Sequence, residues 1–220
     1  MNYFLFILFG APGCGKGTLA QFFLNFLLEQ GIVSKADIAY ISTGDLLREE
    51  ISSGSPLRQE ISQIVTSGQL VSDKIVNTLI QKALSGSERI KIIDGFPRKA
   101  SQLESLKEML VSHPHGVIAI RRNTPTHLIR ERVSKRRVCK DCKATHSIDD
   151  GCCPKCGGES TIRKDDANID ERLFIYFDNT APLWDEFKKF ATLSISVSGT
   201  KDAKIEAEEV FYELYAHKLL

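Results

Sequence analysis

The sequence predicts an α/β protein with a mostly parallel, five-stranded sheet and helices on both of its faces. Three observations carry that expectation. Short apolar runs alternate with stretches whose apolar residues recur at helical spacing, the pattern of strand–helix–strand units that build a parallel, doubly wound sheet. The first run, Tyr3–Phe9, is apolar or aromatic at every position, as a strand covered on both faces must be. A chain of 220 residues, 42% hydrophobic and 26% charged, suits one domain with small inserts and can bury a core.

Each element follows in order. Gly10–Gly17 is glycine-rich, and Leu19–Gln30 then carries helical spacing with Gly31 as its stop. Ile38–Ile41 is a second short strand. Leu46–Leu84 reads as helices broken at Gly54-Ser55-Pro56 and at Ser67-Gly68. Ile90–Asp94 is a third strand, Ser101–Val111 a helix and Val117–Ile120 a fourth strand. Pro125–Lys135 is a basic helix, with Thr124 as its N-cap and the proline in its first turn. Lys135–Asp166 departs in composition: it is short of large apolar residues and rich in Cys, Gly, Lys and Asp. It is therefore read as a small insert with its own staple. Helical spacing resumes over Ile169–Phe190, Thr192–Val197 is the last strand, and Ala203–Leu219 is a closing amphipathic helix.

Composition also excludes function classes. A net charge of +1 argues against a broad basic surface for nucleic acid. No apolar run approaches the roughly 18 residues that span a bilayer, so no membrane partner is expected. Tyr3–Phe9 lacks a basic lead-in and runs into the glycine-rich loop, which reads as a buried strand and not a signal peptide. Of the six cysteines, five crowd into Cys139–Cys156. Without a secretion signal, a metal site in reduced cytoplasm is the expectation, not a disulfide framework. A monomer is expected, because no heptad or exposed apolar stripe is present.

Gly10-Ala-Pro-Gly13-Cys-Gly15-Lys16-Gly17-Thr18 contains the spacing Gly-x4-Gly-Lys between a buried strand and a helix start. Glycines there let backbone N–H groups converge on phosphate oxygens, and the helix N-terminus adds a favourable potential for an anion. Lys16 is then placed to neutralise phosphate, and Thr18 to reach magnesium. Cys14 inside the loop is read as a tolerated small residue. The loop alone says only "nucleotide phosphates".

Further motifs follow in order: Ser42-Thr-Gly-Asp-Leu-Leu-Arg48, Gly68-Gln-Leu-Val71, Asp94-Gly-Phe-Pro-Arg98 with Gln102, Arg132-x3-Arg136, Arg163-Lys-Asp-Asp166, Arg172-Leu173 and Gly199-Thr-Lys201. With the loop at 10–18, this ordered set resembles the adenylate kinase family over nearly the whole chain, in its zinc-lid, bacterial-type long form. The resemblance implies a P-loop nucleotide kinase that moves the terminal phosphoryl group of ATP to AMP, giving two ADP, with Mg2+. It implies an AMP pocket of Thr43, Arg48, Gln69, Leu70, Val71, Gly95, Phe96, Pro97, Arg98 and Gln102. There the backbone of 69–71 and the Gln102 side chain face the adenine, and Arg48 and Arg98 hold the acceptor phosphate. Gly13, Cys14, Gly15, Lys16, Gly17 and Thr18 would cradle the ATP phosphates. Arg136 and Thr145-His146 would contact ATP from the lid, and Lys201 would lie near its adenine. The chain would divide into a core (1–41, 72–134, 167–220), an AMP-binding insert (42–71) and a zinc-binding lid (135–166).

The chemistry asks for the same residues. Phosphoryl transfer needs two polyanions pressed together and the migrating charge stabilised, more than it needs covalent help. Arginine suits this because its planar fork binds phosphate bidentately and keeps its charge. Lys16, Arg98, Arg136, Arg163 and Arg172 are therefore read as a cage around the transferring group, Arg163 and Arg172 reaching AMP as well, with no general base. Asp94 ends a buried strand just before a glycine, where a carboxylate can hold magnesium directly or through water. Arg121, Arg122, Arg130 and Arg137 are read as surface residues.

Cys139-x2-Cys142 and Cys153-x2-Cys156, ten residues apart, form a zinc-ribbon pattern in which two knuckles complete a closed tetrahedral site. Cys152 is spare. An insert this small cannot bury enough apolar surface to fold alone, so a structural Zn2+ supplies its stability. The rival readings are a kinase for another nucleoside monophosphate such as GMP or UMP, a nucleic-acid-binding module, and an inactive homologue. The second is opposed by acidic residues among the lysines and by the lack of aromatics between Cys139 and Cys156.

Overall fold

The computed structural model of the chain describes residues 3–111 and 116–220. In chain order it contains β1 (Phe4–Phe9), α1 (Lys16–Glu29), β2 (Ile38–Ser42), α2 (Thr43–Ser52), α3 (Arg58–Ser67), α4 (Asp73–Leu84), β3 (Ile90–Asp94), α5 (Ala100–Val111), β4 (Gly116–Arg122) and α6 (Thr126–Lys135). After these come β5 (Arg136–Cys139), β6 (Thr145–Ser147), β7 (Ser160–Thr161), α7 (Ile169–Ile175), α8 (Leu183–Phe190), β8 (Leu193–Val197) and α9 (Ala203–Ala216).

The apolar run at the start of the chain becomes the central strand of a five-stranded sheet, ordered β2-β3-β1-β4-β8, in which every neighbouring pair is parallel. Its side chains alternate between two cores. Phe4, Phe6 and Leu8 pack with Leu19, Phe23 and Leu27 of α1 and with Val210 and Leu214 of α9. Leu5, Ile7 and Phe9 face the opposite layer, meeting Leu47, Ile61, Ile80, Leu106 and Phe187. Full burial of one such side chain is worth about 1.5–3 kcal/mol, so a polar residue at either parity of β1 would cost heavily. Strand order reverses at β1, whose two neighbours come from later in the chain, and the crevice beyond the carboxyl ends of such strands is where ligands bind in open α/β sheets. Register brings Leu8 and Ser42 alongside Asp94 at that edge.

The breaks expected within Leu46–Leu84 fall between α2, α3 and α4, and Gly68 closes α3 in the left-handed region at φ 82°. Two expectations need correction. The helical stretch Ile169–Phe190 is interrupted by a π-helical turn, Tyr176–Thr180. Thr124 does not cap α6: its hydroxyl donates to Cys14 O at 3.2 Å and reaches Gly199 O at 3.5 Å, while Pro125 occupies the cap position. Two loop carbonyls win the hydroxyl from the helix end.

The compositionally distinct insert is a three-stranded antiparallel sheet, ordered β6-β5-β7. Among the described residues, no helix is long and apolar enough to cross a membrane.

Candidate active site

The loop between β1 and α1 winds tightly because its glycines take positive φ, 145° at Gly10, 82° at Gly13 and 90° at Gly15. Gly15 is required twice over. Its φ lies in the left-handed region, and a Cβ there would collide with the Arg122 guanidinium. Lys16 Nζ lies 2.8 Å from Gly10 O and 3.8 Å from Asp94 Oδ1. Asp94 is fixed in turn: Tyr40 donates its hydroxyl to Oδ2 at 2.9 Å, and the Thr43 hydroxyl donates to the Asp94 carbonyl at 3.1 Å. Tyr40 was not among the expected site residues; its only sequence signal is a phenol two residues before the end of a strand.

A cleft of about 1060 Å³ opens over this loop, lined by Gly13, Gly15–Thr18, Arg48, Asp94, Gly95, Pro97, Arg98, Arg136, Thr145, Arg163 and Arg172. A recess with walls from Thr43, Arg48, Gln69, Leu70, Val71, Gly95, Arg98, Gln102, Arg163 and Arg172 adjoins it. The fold thus gathers most of the expected residues around one space. Four are not brought into it as side chains. Cys14 is buried beneath the loop against Ala11, Ile129, Val133 and Leu173. The Phe96 ring is in the core with Ile7 and Leu103. His146 turns into the three-stranded unit, where Nδ1 meets Ser147 O at 2.8 Å and Nε2 meets Ser160 Oγ at 2.5 Å. Lys201 is ion-paired with Glu209 and does not line the cleft.

In the recess, Gln102 is buried with both amide atoms engaged. Its Oε1 accepts from Arg98 N and its Nε2 donates to Asp73 Oδ1, each at 2.8 Å. Arg98 Nε donates to Gly95 O at 2.7 Å, and the Arg98 carbonyl accepts from the Thr180 hydroxyl at 2.9 Å. Burial, then the like charges of Arg163 and Arg48, hold the Arg98 pKa below its ordinary value.

Two carboxylates organise the remaining arginines, and the sequence pointed only to the arginines. Asp165 takes Arg163 bidentately, at 2.9 and 3.0 Å, and Arg172 Nη1 at 2.9 Å. Asp166 takes Arg136 through both of its oxygens, with Nε at 2.8 Å, and lies 3.7 Å from Arg172. Burial works against the Asp165 charge, but Arg163, Arg172 and Arg136 outweigh it and hold the carboxyl below its usual range. Arg172 is pulled down to about 10 by burial and by the neighbouring Arg98, Arg163 and Arg136. The available signal was two adjacent acids beside an arginine in a charged run.

The expectation of surface arginines at 121 and 122 does not hold. Arg122 is 4% exposed and pairs at 2.7 Å with Glu206, itself 0% exposed. Arg121 stacks its guanidinium 4.6 Å from the centre of the Trp184 ring. Both sit at the carboxyl end of β4, where the phosphate loop packs over Arg122 and Arg121 lies half-buried against Trp184. Arg130 does remain exposed, paired with Asp170.

In the three-stranded unit, the Sγ atoms of Cys139, Cys142, Cys153 and Cys156 all lie within 4.8 Å of one another. Cys139 and Cys156 are 3.5 Å apart and Cys142 and Cys153 3.6 Å apart. These distances exclude disulfides, which need about 2.05 Å. They fit a tetrahedron of metal–sulfur bonds near 2.3 Å, whose sulfurs stand about 3.8 Å apart. Cys152 is exposed and outside the cluster. Magnesium asks for hard oxygen donors, and Asp94 and Thr18 both present theirs to the cleft.

The profile of the family described as Adenylate kinase matches residues 8–192. The adenylate kinase of Thermodesulfovibrio yellowstonii is 38% identical over 205 residues, covering 88% of this chain and 91% of that protein. That of Clostridium tetani is 37% identical over 217 residues, covering 93% and 94%. That of Archaeoglobus fulgidus is 36% identical over 207 residues, covering 89% and 91%. Matches of this extent, over a chain that carries a phosphate loop and a ring of cations on one cleft, leave one assignment: the chain belongs to the adenylate kinase family.

Proposed function

We propose that this protein is an ATP:AMP phosphotransferase, catalysing ATP + AMP ⇌ 2 ADP. The observation that carries the reading is the convergence of Lys16, Arg48, Arg98, Arg136, Arg163 and Arg172 on one cleft between a phosphate loop and an adjoining recess. A single polyanion does not need six cations; two abutting ones do. In this reading 1–41, 72–134 and 167–220 form the core, 42–71 the AMP-binding insert, and 135–166 the lid.

The loop N–H groups and Lys16 hold the ATP phosphates, while Arg48 and Arg98 hold the AMP phosphate in line with the terminal phosphoryl group. Arg136, Arg163 and Arg172 stabilise charge on that group as it moves, which is where electrostatic preorganisation acts most strongly. The acceptor phosphate oxygen is nucleophilic enough without a general base. Asp94 and Thr18 would hold Mg2+, which would supply neutralisation of polyphosphate charge. The four cysteine thiolates hold a structural Zn2+ that stabilises the lid, whose closure excludes water that would otherwise consume ATP. Four cysteines without a disulfide suit the reducing cytoplasm. The six cations and the phosphate loop all come from this chain, so the proposed reaction needs no second subunit, and the protein is read as a monomer.

A panel of monophosphate acceptors (AMP, GMP, UMP and CMP) with Mg–ATP tests the reading. AMP should be the strongly preferred acceptor. Turnover dominated by another monophosphate would overturn the assignment of the acceptor, and no phosphotransfer at all from folded protein would overturn the function.

A further inference from the structure

The ion pair of Arg122 and Glu206 touches none of the substrate atoms proposed above, yet it joins two segments on the ATP side. Glu206 Oε2 takes Arg122 Nε at 2.7 Å, and its Oε1 accepts from Lys201 N at 3.3 Å. Arg122 Nη1 donates to Cys14 O and Gly15 O, each at 3.0 Å. A continuous chain of hydrogen bonds therefore runs from the phosphate loop, through a buried guanidinium and a buried carboxylate, to the backbone of 199–201. Two more side chains span the same gap. Thr124 reaches both Cys14 O and Gly199 O, and Arg132 donates to Cys14 O at 3.3 Å and to Gly199 O at 2.9 Å.

Stability does not account for such a pair. Burying two charges costs about as much as their attraction returns, and apolar residues of similar volume commonly do as well. What apolar residues do not provide is direction. In a trans peptide the C=O and the following N–H point opposite ways. Holding the carbonyls of Cys14 and Gly15 back onto Arg122 turns the N–H groups of Gly15 and Lys16 the other way, towards the cleft that both residues line.

We propose that Arg122 and Glu206 are positioning residues for ATP. They aim two loop N–H groups at its phosphates and fix the 199–201 segment relative to them. This rests on the reading that the phosphate-loop side takes ATP, so the wild type is assayed first for ADP formation from ATP and AMP. Absence of that turnover would sink the reading of function, and calorimetric titration of Mg–ATP alone would still report on the pair.

The variants are Arg122→Lys and the double replacement Arg122→Met/Glu206→Leu, which removes both charges so that neither is left buried alone. The double variant is expected to keep its melting temperature within a few degrees while its Kd for Mg–ATP rises at least about tenfold. The KM for AMP should stay within twofold. Arg122→Lys keeps the charge but loses the fork, and is expected to raise the ATP Kd about threefold or more. Native constants for both nucleotides in the folded double variant would overturn the proposal. So would equal weakening of ATP and AMP, the mark of a general scaffold. If the double variant does not fold, Arg122→Lys decides alone, and a wild-type ATP Kd there overturns it.

Discussion

Arg98→Ala separates binding chemistry from folding unusually cleanly. Lys16, Arg48, Arg136, Arg163 and Arg172 each have a carboxylate partner, whereas Arg98 makes no ion pair among the described residues. Its fork spends one N–H on Gly95 O and keeps the rest for the cleft. Two charge-assisted bonds to a phosphate are worth about 1.5–3 kcal/mol each. The loss of transition-state stabilisation is therefore on the order of 3–5 kcal/mol. At about 1.36 kcal/mol per decade, kcat/KM should fall roughly 10²- to 10⁴-fold. The melting temperature should move little, because the lost bond to Gly95 is opposed by release of the cost of burying the Arg98 charge. A coupled assay of ADP formation beside a thermal melt reads both. Near-normal turnover would refute the role, and so would an activity loss that merely tracks unfolding.

Lys16→Ala should also lose on the order of 3–5 kcal/mol in the same assay, and turnover close to wild type would remove Lys16 from the phosphate cradle. Chelation is expected to lower thermal stability before it changes the chemistry, since four thiolates leave no open coordination position; unchanged melting after verified metal removal would count against a structural site. Asp165→Asn should be destabilising at neutral pH. A carboxyl held below its ordinary pKa contributes stability above the unfolded value of about 3.9 and loses it as pH falls through the folded value. The gap in stability between wild type and variant should therefore close below about pH 4, and a gap constant from pH 7 to 3 would show that Asp165 is not the titrating group.

How legible all this was in the sequence depends on whether a residue's role is local. β1 was legible because both of its faces are buried, so every residue had to be apolar. The phosphate loop was legible because its glycines serve backbone geometry within one turn. The cysteine quartet was legible because each knuckle sets two ligands three residues apart. Arg122 was not, because nothing near it in sequence reveals Glu206, 84 residues on. Thr124 misled for the same reason: a hydroxyl before a proline and a helix reads as a cap unless two distant carbonyls claim it. His146 sits beside cleft-lining Thr145, but strand alternation sends the two side chains to opposite faces of β6.

The acids among the arginines look at first like competitors for the phosphates. Their placement argues the opposite. Six clustered guanidinium and ammonium groups would repel one another; the pKa of Arg172 is depressed first by burial and then by Arg98, Arg163 and Arg136, even with Asp165 beside it. Asp45, Asp94, Asp165 and Asp166 each pair with at least one of the six. The set retains two positive charges, few enough to fold and too few to match two nucleotides abutting through their phosphates. Arginines held by bidentate forks are also oriented before any substrate arrives, so little reorganisation remains at the moment of transfer. A magnesium ion brought with ATP, which Asp94 and Thr18 would help to hold, would meet part of the remaining negative charge in the proposed reaction.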